Sequence, residues 1–271
     1  MTTTSEYLLG HTATEQERLL QQAAILRNWT SEFFRAAGLQ ARMRILDVGS
    51  GMGDVAMLAA EFGAQVTGID SDAAVVQRAR SRVAAHGLAD QIDLIHADIF
   101  TFRPAGVFDA VIGRYILPHV IDPAGAVRHM AGLVRSGGLI VLHEVDFSEP
   151  IEPWPHAPLW DRTYRLLGES FRRMGKLPDA GRRLSRIFLD AGLPTPVLEA
   201  RLPVCVGRGS YIYGWVAETV RSLLPVIERE GLGLAKDIGI DSLALRLESE
   251  SVELGCQLMG PTQYGAWVIK P

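Results

Sequence analysis

The sequence has few of the features that mark several common protein classes. It contains two cysteines, Cys205 and Cys256, which lie far apart and outside any CxxC motif, so we expect neither a disulfide framework nor a zinc ribbon. Lys and Arg (27) do not outnumber Asp and Glu (31), which disfavours broad neutralisation of nucleic-acid phosphates. The seven histidines include no HExxH or similar pair, so we expect no catalytic metal.

Long apolar runs are also missing. The first fifteen residues hold no apolar segment typical of a signal peptide, and no run approaches the roughly 18 apolar residues of a membrane span. We therefore expect a soluble protein of the reducing cytoplasm with no membrane partner. The 271 residues are 48% apolar, which is enough to bury a sizeable core.

Strand and helix patterns alternate through the middle of the chain. Apolar runs predict strands at 44–48, 65–70, 91–96, 108–113 and 139–145. Helical spacing predicts the intervening helices at 54–62, 72–86 and 122–135. This alternation implies parallel strands joined by right-handed crossovers, in a doubly wound α/β sheet with helices on both faces.

The regions before and after this alternating segment show other sequence patterns. A capping box at Thr14–Glu17 begins a predicted helix over about 14–37. After Phe147 a proline-rich loop leads into further predicted elements: helices at 159–173, 180–191, 210–230 and 241–257, and strands at 197–206 and 264–269. No long linker separates these elements from the sheet, so we expect one domain over 1–271 whose later helices cap the same sheet.

Glycines and acidic residues follow the predicted strands. Gly49, Gly51 and Gly53 come directly after the first strand, where glycine lets the chain turn sharply and approach a ligand. In open α/β sheets, ligands bind beyond the carboxyl ends of the strands. Asp70 closes the second strand, where its carboxylate is able to accept hydrogen bonds from both hydroxyls of a ribose. Asp98 follows the third strand, where it is able to meet an adenine amino group.

The segment Asp47-Val48-Gly49-Ser50-Gly51-Met52-Gly53, with Asp70 and Ala97-Asp98-Ile99, resembles the signature of the class I S-adenosylmethionine-dependent methyltransferases. The resemblance covers residues 40–147. It implies a Rossmann-like methyltransferase fold with a mostly parallel seven-stranded sheet, and S-adenosyl-L-methionine as cofactor. It also implies that 40–147 form the cofactor-binding core, 1–38 a lid and helix, and 148–195 and 208–260 a helical cap over the substrate site.

The same resemblance implies roles for individual residues. Asp47 would help to hold the methionine end of the cofactor, Asp70 the ribose, and Asp98 with Ile99 the adenine. Arg114 lies just past the fourth strand, where related proteins contact the methionine carboxylate or its surroundings. The full cofactor-binding set is Asp47, Gly49, Ser50, Gly51, Gly53, Asp70, Ser71, Asp98, Ile99 and Arg114.

Other interpretations of these residues remain open. Gly51–Ala56 satisfies the dinucleotide fingerprint G-x-G-x-x-G/A, which is typical of an NAD-dependent oxidoreductase. A glycine pattern that begins at Gly49, the acid Asp47 at the strand end and the further acid Asp98 favour a methyl donor instead. A non-catalytic cofactor-binding protein of the same fold is the second alternative. Locally, Asp70 is also able to serve as the N-cap of the next helix.

Methyl transfer by in-line displacement depends mainly on orientation, and a base is needed only when the acceptor must lose a proton. Candidate bases are His119, in the loop after the fourth strand, and Glu144, at the end of the fifth. His119 is equally able to cap a helix or contact the cofactor. The resemblance implies that the N-terminal segment folds over the cofactor, where Tyr7 would contact the sulfonium by a cation–π interaction and His11 would be a further candidate base.

Aromatic residues are concentrated in 148–195 and 208–260. They suit a largely apolar or aromatic small acceptor, and they equally suit the packing of cap helices onto a sheet. We expect methyl transfer to an oxygen, nitrogen or carbon of a small organic molecule, with secondary metabolism as one setting. We expect no nucleic-acid partner, and a homodimer remains an open alternative.

Overall fold

The computed structural model describes residues 13–271, with side chains described from residue 24 onward. The helices are α1 (Ala13–Ala37), α2 (Asp54–Glu61), α3 (Ala73–Ala85), α4 (Pro123–Leu133), α5 (Pro158–Arg173), α6 (Ala180–Asp190), α7 (Tyr211–Arg229), α8 (Ala235–Ile238) and α9 (Leu243–Leu254). The strands are β1 (Arg44–Val48), β2 (Gln65–Asp70), β3 (Ile92–His96), β4 (Phe108–Arg114), β5 (Val134–Asp146), β6 (Val197–Arg201), β7 (Val204–Val206), β8 (Gln257–Met259) and β9 (Thr262–Ile269). Two short 3₁₀ turns cover Leu117–His119 and Ile240–Ser242.

The chain forms two compact units. The first, which we call the sheet unit, comprises Ala23–Glu144, Gly181–Ala200 and Tyr264–Pro271. The second, which we call the helical unit, includes Val145–Ala180 and Arg201–Gln263.

A seven-stranded sheet is built in the order β3-β2-β1-β4-β5-β9-β6. Strand β1 pairs in parallel with β2 on one side and with β4 on the other, and the pairs β2–β3 and β4–β5 are also parallel. Val48 is in register with Ile69 of β2 and Gly113 of β4, so these strands end at the same edge. The strand order reverses between β1 and β4, and this switch point is where open sheets bind ligands. The doubly wound fold predicted from the sequence is confirmed.

The core of the sheet unit lies between the sheet and its helices. Ile45 of β1, Ala56 of α2 and Phe33 of α1 are fully buried in one apolar cluster. Gly265 in β9 permits a close approach of α1, because a Cβ at this position would overlap the Phe33 ring. Helix α1 is thereby held against the sheet at the β9 position.

The helical unit has its own packing. Helices α5, α7 and α9 contact one another, and β7 pairs with β8 in a small antiparallel sheet. The Glu250 carboxylate accepts hydrogen bonds from the first free amides of α5, those of Leu159 and Trp160, at 2.8–3.1 Å. Both cysteines are buried and free.

Three details differ from the sequence prediction. The prediction of a single strand at 197–206 is wrong, because this segment forms two strands that belong to different sheets. Pro203 lies between them and lacks the amide that a continuous hydrogen-bond ladder needs. Strand β8 was not predicted, because its three residues are too few to show a periodic pattern of apolar residues. Helix α9 ends earlier than predicted, at Leu254, where Gly255 takes a left-handed conformation (φ 60°) that terminates a helix. None of the described helices is both long and apolar enough to cross a bilayer.

Candidate functional site

A tight glycine turn lies at the carboxyl end of β1. Gly49, Gly51 and Gly53 have φ angles of 64°, 51° and 82°, a region that side chains disfavour. The Ser50 amide donates to the Ile69 carbonyl at 2.9 Å, and the Gly53 amide donates to the Ser50 carbonyl at 2.8 Å. The turn is therefore fixed to β2 and closed on itself before α2 begins.

Two of these glycines serve different purposes. A Cβ added at Gly49 would overlap the Ile116 side chain, so this glycine permits packing inside the protein. A Cβ added at Gly51 would meet nothing closer than the Gly49 carbonyl oxygen at 4.0 Å. The backbone at Gly51 thus borders open space at the switch point, where a ligand is able to approach it.

The Asp70 carboxylate holds this turn from the end of β2. Its Oδ2 accepts a hydrogen bond from the Gly51 amide at 2.9 Å, and its Oδ1 accepts one from the Asp72 amide at 3.0 Å. The N-cap of α3 is Asp72, whose Oδ1 accepts from the Ala74 and Val75 amides at 2.7 and 2.9 Å. Asp70 is therefore not a helix cap, and it lies directly beside the glycine turn.

Beside the turn, two buried polar side chains make no hydrogen bond of ordinary geometry with the described residues, although the Ala56 amide lies close enough to Asp47 to act on its pKa. They are Asp47, through both carboxylate oxygens, and Ser50, through Oγ. Burial raises the pKa of Asp47 to about 8, while the nearby Arg114 guanidinium acts in the opposite direction and the Asp70 carboxylate raises it further. A buried polar group left unpaired costs about 1–3 kcal/mol, so these atoms mark a place for ligand or solvent hydrogen bonds.

Arg114 ends β4 and is held from α1. Its Nη1 donates to the Thr30 hydroxyl at 3.3 Å. That hydroxyl donates its proton to the Leu26 carbonyl at 2.9 Å and lies 2.9 Å from Nδ1 of the buried His143. Because a threonine hydroxyl has a single proton, His143 donates through Nδ1 when the hydroxyl donates to Leu26. Burial lowers the Arg114 pKa, while Asp54 and Asp47 support its charge.

The segment after β4, residues 115–119, has an unusual backbone. Tyr115 adopts a left-handed conformation (φ 59°), which is uncommon for a bulky residue, and its amide donates to the His143 carbonyl at 2.9 Å. Glu144 accepts the next two amides, those of Ile116 and Leu117. His119 ends the 3₁₀ turn that follows and is half-buried. We call residues 115–119 the β4 exit segment.

The predicted adenine and ribose neighbours lie past β2 and β3. Asp98 is exposed, and its Oδ1 accepts from the Phe100 amide at 2.8 Å, so it already organises its own turn. Ile99 is buried. Ser71 is exposed, and its carbonyl oxygen lies 3.1 Å from Nε2 of His96.

Two candidates cannot be compared with the structure: Tyr7 and His11 lie outside the described residues, as does most of the expected lid. Among the side chains that the structure does describe, no group of three or more His, Cys, Asp or Glu gathers as metal ligands would.

Three residues that shape the site were not predicted from the sequence. Arg82 of α3 pairs with Asp54 at 2.7 Å and donates to the Met52 carbonyl at 2.9 Å, which ties α3 to the glycine turn. Thr30 orients Arg114, and nothing in the sequence links two residues so far apart. Ile116 fills the space beside Gly49. The sequence did contain a signal for Ile116. Gly49 follows a predicted strand end and has no side chain, so it leaves room for a side chain from the end of the adjacent strand.

With this geometry established, comparison with known proteins is decisive. A family model described as a methyltransferase domain matches residues 16–193 of the chain. The chain belongs to this family. The membership confirms the expected class I S-adenosylmethionine-dependent methyltransferase and its cofactor, S-adenosyl-L-methionine.

Individual relatives agree at the level of sequence or fold. The ubiquinone biosynthesis O-methyltransferase of Methylocella silvestris is 36% identical over 128 residues, covering 44% of this chain and 50% of the relative. The chain thus spans about half the length of the curated relatives that it matches. Phosphoethanolamine N-methyltransferase 2 of Haemonchus contortus has a TM-score of 0.59 at 15% identity, covering 100% of this chain and 61% of that one.

A third similar protein shares the fold but is named for a different reaction. The [4+2]-cyclase SpnF has a TM-score of 0.54 at 21% identity, covering 90% of this chain and 81% of that one. These structural likenesses confirm the Rossmann-like methyltransferase fold.

Proposed function

We propose that this chain transfers the methyl group of S-adenosyl-L-methionine to a small organic acceptor by in-line displacement. The observation that most supports this is the open space at Gly51, which borders the Asp70 carboxylate, with the buried Asp47 carboxyl at the end of the strand that precedes Gly51. Family membership supplies the reaction class.

The residues present fit the cofactor. The Asp47 carboxyl and the Arg114 guanidinium lie at the ends of adjacent strands, which suits the ammonium and carboxylate of an amino acid, since a bound ammonium would favour the ionised form of Asp47. Asp70 keeps acceptor capacity for ribose hydroxyls beyond its two backbone bonds, since a carboxylate has about four lone-pair sites. Ile99 offers an apolar surface for adenine, with Asp98 beside it and Ser71 following Asp70. When bound, S-adenosyl-L-methionine supplies an electrophilic methyl group on a sulfonium.

His119 is our candidate base. It stands in the β4 exit segment, which follows the same strand end as Arg114, and an imidazole is able to accept a proton near neutral pH. We expect His119→Ala to lower turnover by roughly 10²-fold or more if the acceptor loses a proton, with unchanged affinity for S-adenosylhomocysteine. Turnover that survives intact would leave His11 as the candidate base to test next, with Tyr7 as a candidate contact of the sulfonium.

For the methyl acceptor we propose a chemical class, whereas for the methyl donor we propose one compound. Matched curated relatives are ubiquinone biosynthesis O-methyltransferases, which favours an oxygen acceptor over nitrogen or carbon. They give no support to the expected setting in secondary metabolism. The expected small-molecule partner is consistent with them, and the homodimer stays a prediction.

Two measurements test the proposal. Calorimetry with S-adenosylhomocysteine and with NAD separates a methyl donor from a dinucleotide: we expect binding of the first only. A transfer assay with S-adenosyl-L-methionine labelled in its methyl group, against a panel of phenols, amines and carbon nucleophiles, then tests turnover. Donor binding without transfer to any acceptor would favour the non-catalytic alternative, and NAD binding would overturn the proposal.

A further inference from the structure

Glu144 is completely buried, yet it makes specific contacts through one oxygen only. Its Oε1 accepts hydrogen bonds from two successive amides, Ile116 at 2.9 Å and Leu117 at 3.0 Å. Its Oε2 is buried with no hydrogen-bond partner among the described residues. This is the arrangement of a carboxylate that caps a helical turn, since Ile116 is the N-cap and Leu117 the first residue of the 3₁₀ turn that ends at His119.

The capped segment in turn supports the glycine turn. The Ile116 side chain occupies the space that side chains at Gly49 and Gly113 would need: a Cβ at Gly113 would lie 3.0 Å from Ile116 Cγ1, and one at Gly49 would overlap Cδ1. Glu144 therefore acts on the glycine turn through Ile116, and on His119 through the 3₁₀ turn.

We propose that Glu144 is a positioning residue, a fixed hydrogen-bond acceptor that holds the β4 exit segment against the glycine turn and so sets donor affinity and the placement of His119. This inference rests on the proposed function. It replaces the role of general base that the sequence suggested for Glu144, because a base must offer an oxygen to the reacting atoms, whereas Oε1 is committed to two amides and Oε2 is buried away from the surface.

The charge of Glu144 is secondary in this role. Burial raises its pKa to about 8, against the smaller opposite effect of the two amides. The group is therefore largely neutral at pH 7, and a neutral glutamine keeps an oxygen able to accept both amides. Alanine offers no acceptor, so the two amides lose their partner.

The test compares Glu144→Gln with Glu144→Ala, and uses the exposed Glu253→Ala as a matched control. We expect Glu144→Gln to keep donor affinity and kcat within about threefold, and Glu144→Ala to weaken S-adenosylhomocysteine binding by about tenfold or more. Loss of roughly 10²-fold in kcat by Glu144→Gln with intact donor affinity would show a general base and overturn the proposal. Wild-type affinity in a folded Glu144→Ala would also overturn it.

A second variant and a donor-free measurement cover the case in which Glu144→Ala does not fold. Ile116→Ala leaves the hydrogen bonds to Glu144 in place and removes the contact with the glycine turn, so we expect weaker donor binding; unchanged affinity contradicts the proposal. Amide exchange of Ile116 and Leu117 should be slow in the wild type and in Glu144→Gln without any donor. Fast exchange refutes this inference alone, whereas failure of the wild type to bind S-adenosylhomocysteine refutes the proposed function.

Discussion

Replacing Gly51 by alanine separates the cost of a strained backbone from the cost of a blocked site. Gly51 has φ 51°, and an added Cβ would meet no atom closer than 4.0 Å. The substitution therefore costs stability only through the left-handed conformation, about 1–2 kcal/mol. Gly87→Ala is a matched control, because Gly87 has φ 69° with nothing within 4 Å of an added Cβ and lies away from the glycine turn.

Both variants should lose similar stability, a fall in Tm of roughly 2–8 °C. Only Gly51→Ala should lose donor affinity, since its methyl group enters the space that we assign to the donor. Forcing a methyl group into a filled site costs about 1–3 kcal/mol, which corresponds to roughly 5–150-fold in Kd. Calorimetry with S-adenosylhomocysteine measures this difference directly. Equal affinity of the two variants would show that the donor does not approach the backbone at Gly51.

Three further predictions follow from the same contacts. Asp70→Ala should weaken S-adenosylhomocysteine binding by about 1–3 kcal/mol, because both ribose hydroxyls and the Gly51 amide lose their acceptor; the exposed Asp90→Ala serves as control in the same titration. Thr30→Val should weaken donor binding by about 1 kcal/mol through a misplaced Arg114, and Thr30→Ser should restore it; equal affinities of the two variants would exclude this role. The pKa of Glu144 is raised from 4.5 to about 8, so the folded state retains a proton that the unfolded state has lost, and the free energy of unfolding should fall as pH rises between these values. Urea denaturation at pH 5 and pH 8 should show a smaller difference in Glu144→Gln than in the wild type, and an equal difference would refute the assignment.

The fold was predictable because its signals are local. Each parallel strand is a short buried apolar run, and turn residues punctuate the chain between strands and helices, so the alternation through 44–146 determined the doubly wound sheet. The short strand β8 and the break at Pro203 were not predicted, because three residues show no periodicity and a proline is also tolerated at a strand edge.

The site was predictable in its main chain and much less so in its side-chain partners. The glycine turn and Asp70 follow from sequence spacing, and the structure joins them by a hydrogen bond. Glu144 illustrates the limit, since its position at a strand end suggested a base, whereas its actual partners are amides 27 and 28 residues away. Such long-range pairings depend on strand register and side-chain direction, which composition and periodicity do not encode.

The central claim is that the glycine turn and Asp70 together hold the donor, and a crystal structure with S-adenosylhomocysteine tests it most directly. The account predicts the ribose hydroxyls within hydrogen-bonding distance of the Asp70 carboxylate. It also predicts that the ligand passes over the Gly51 main chain, with its amino acid end near Asp47 and Arg114. A nucleoside bound at another edge of the sheet, or one whose ribose makes no contact with Asp70, would contradict it.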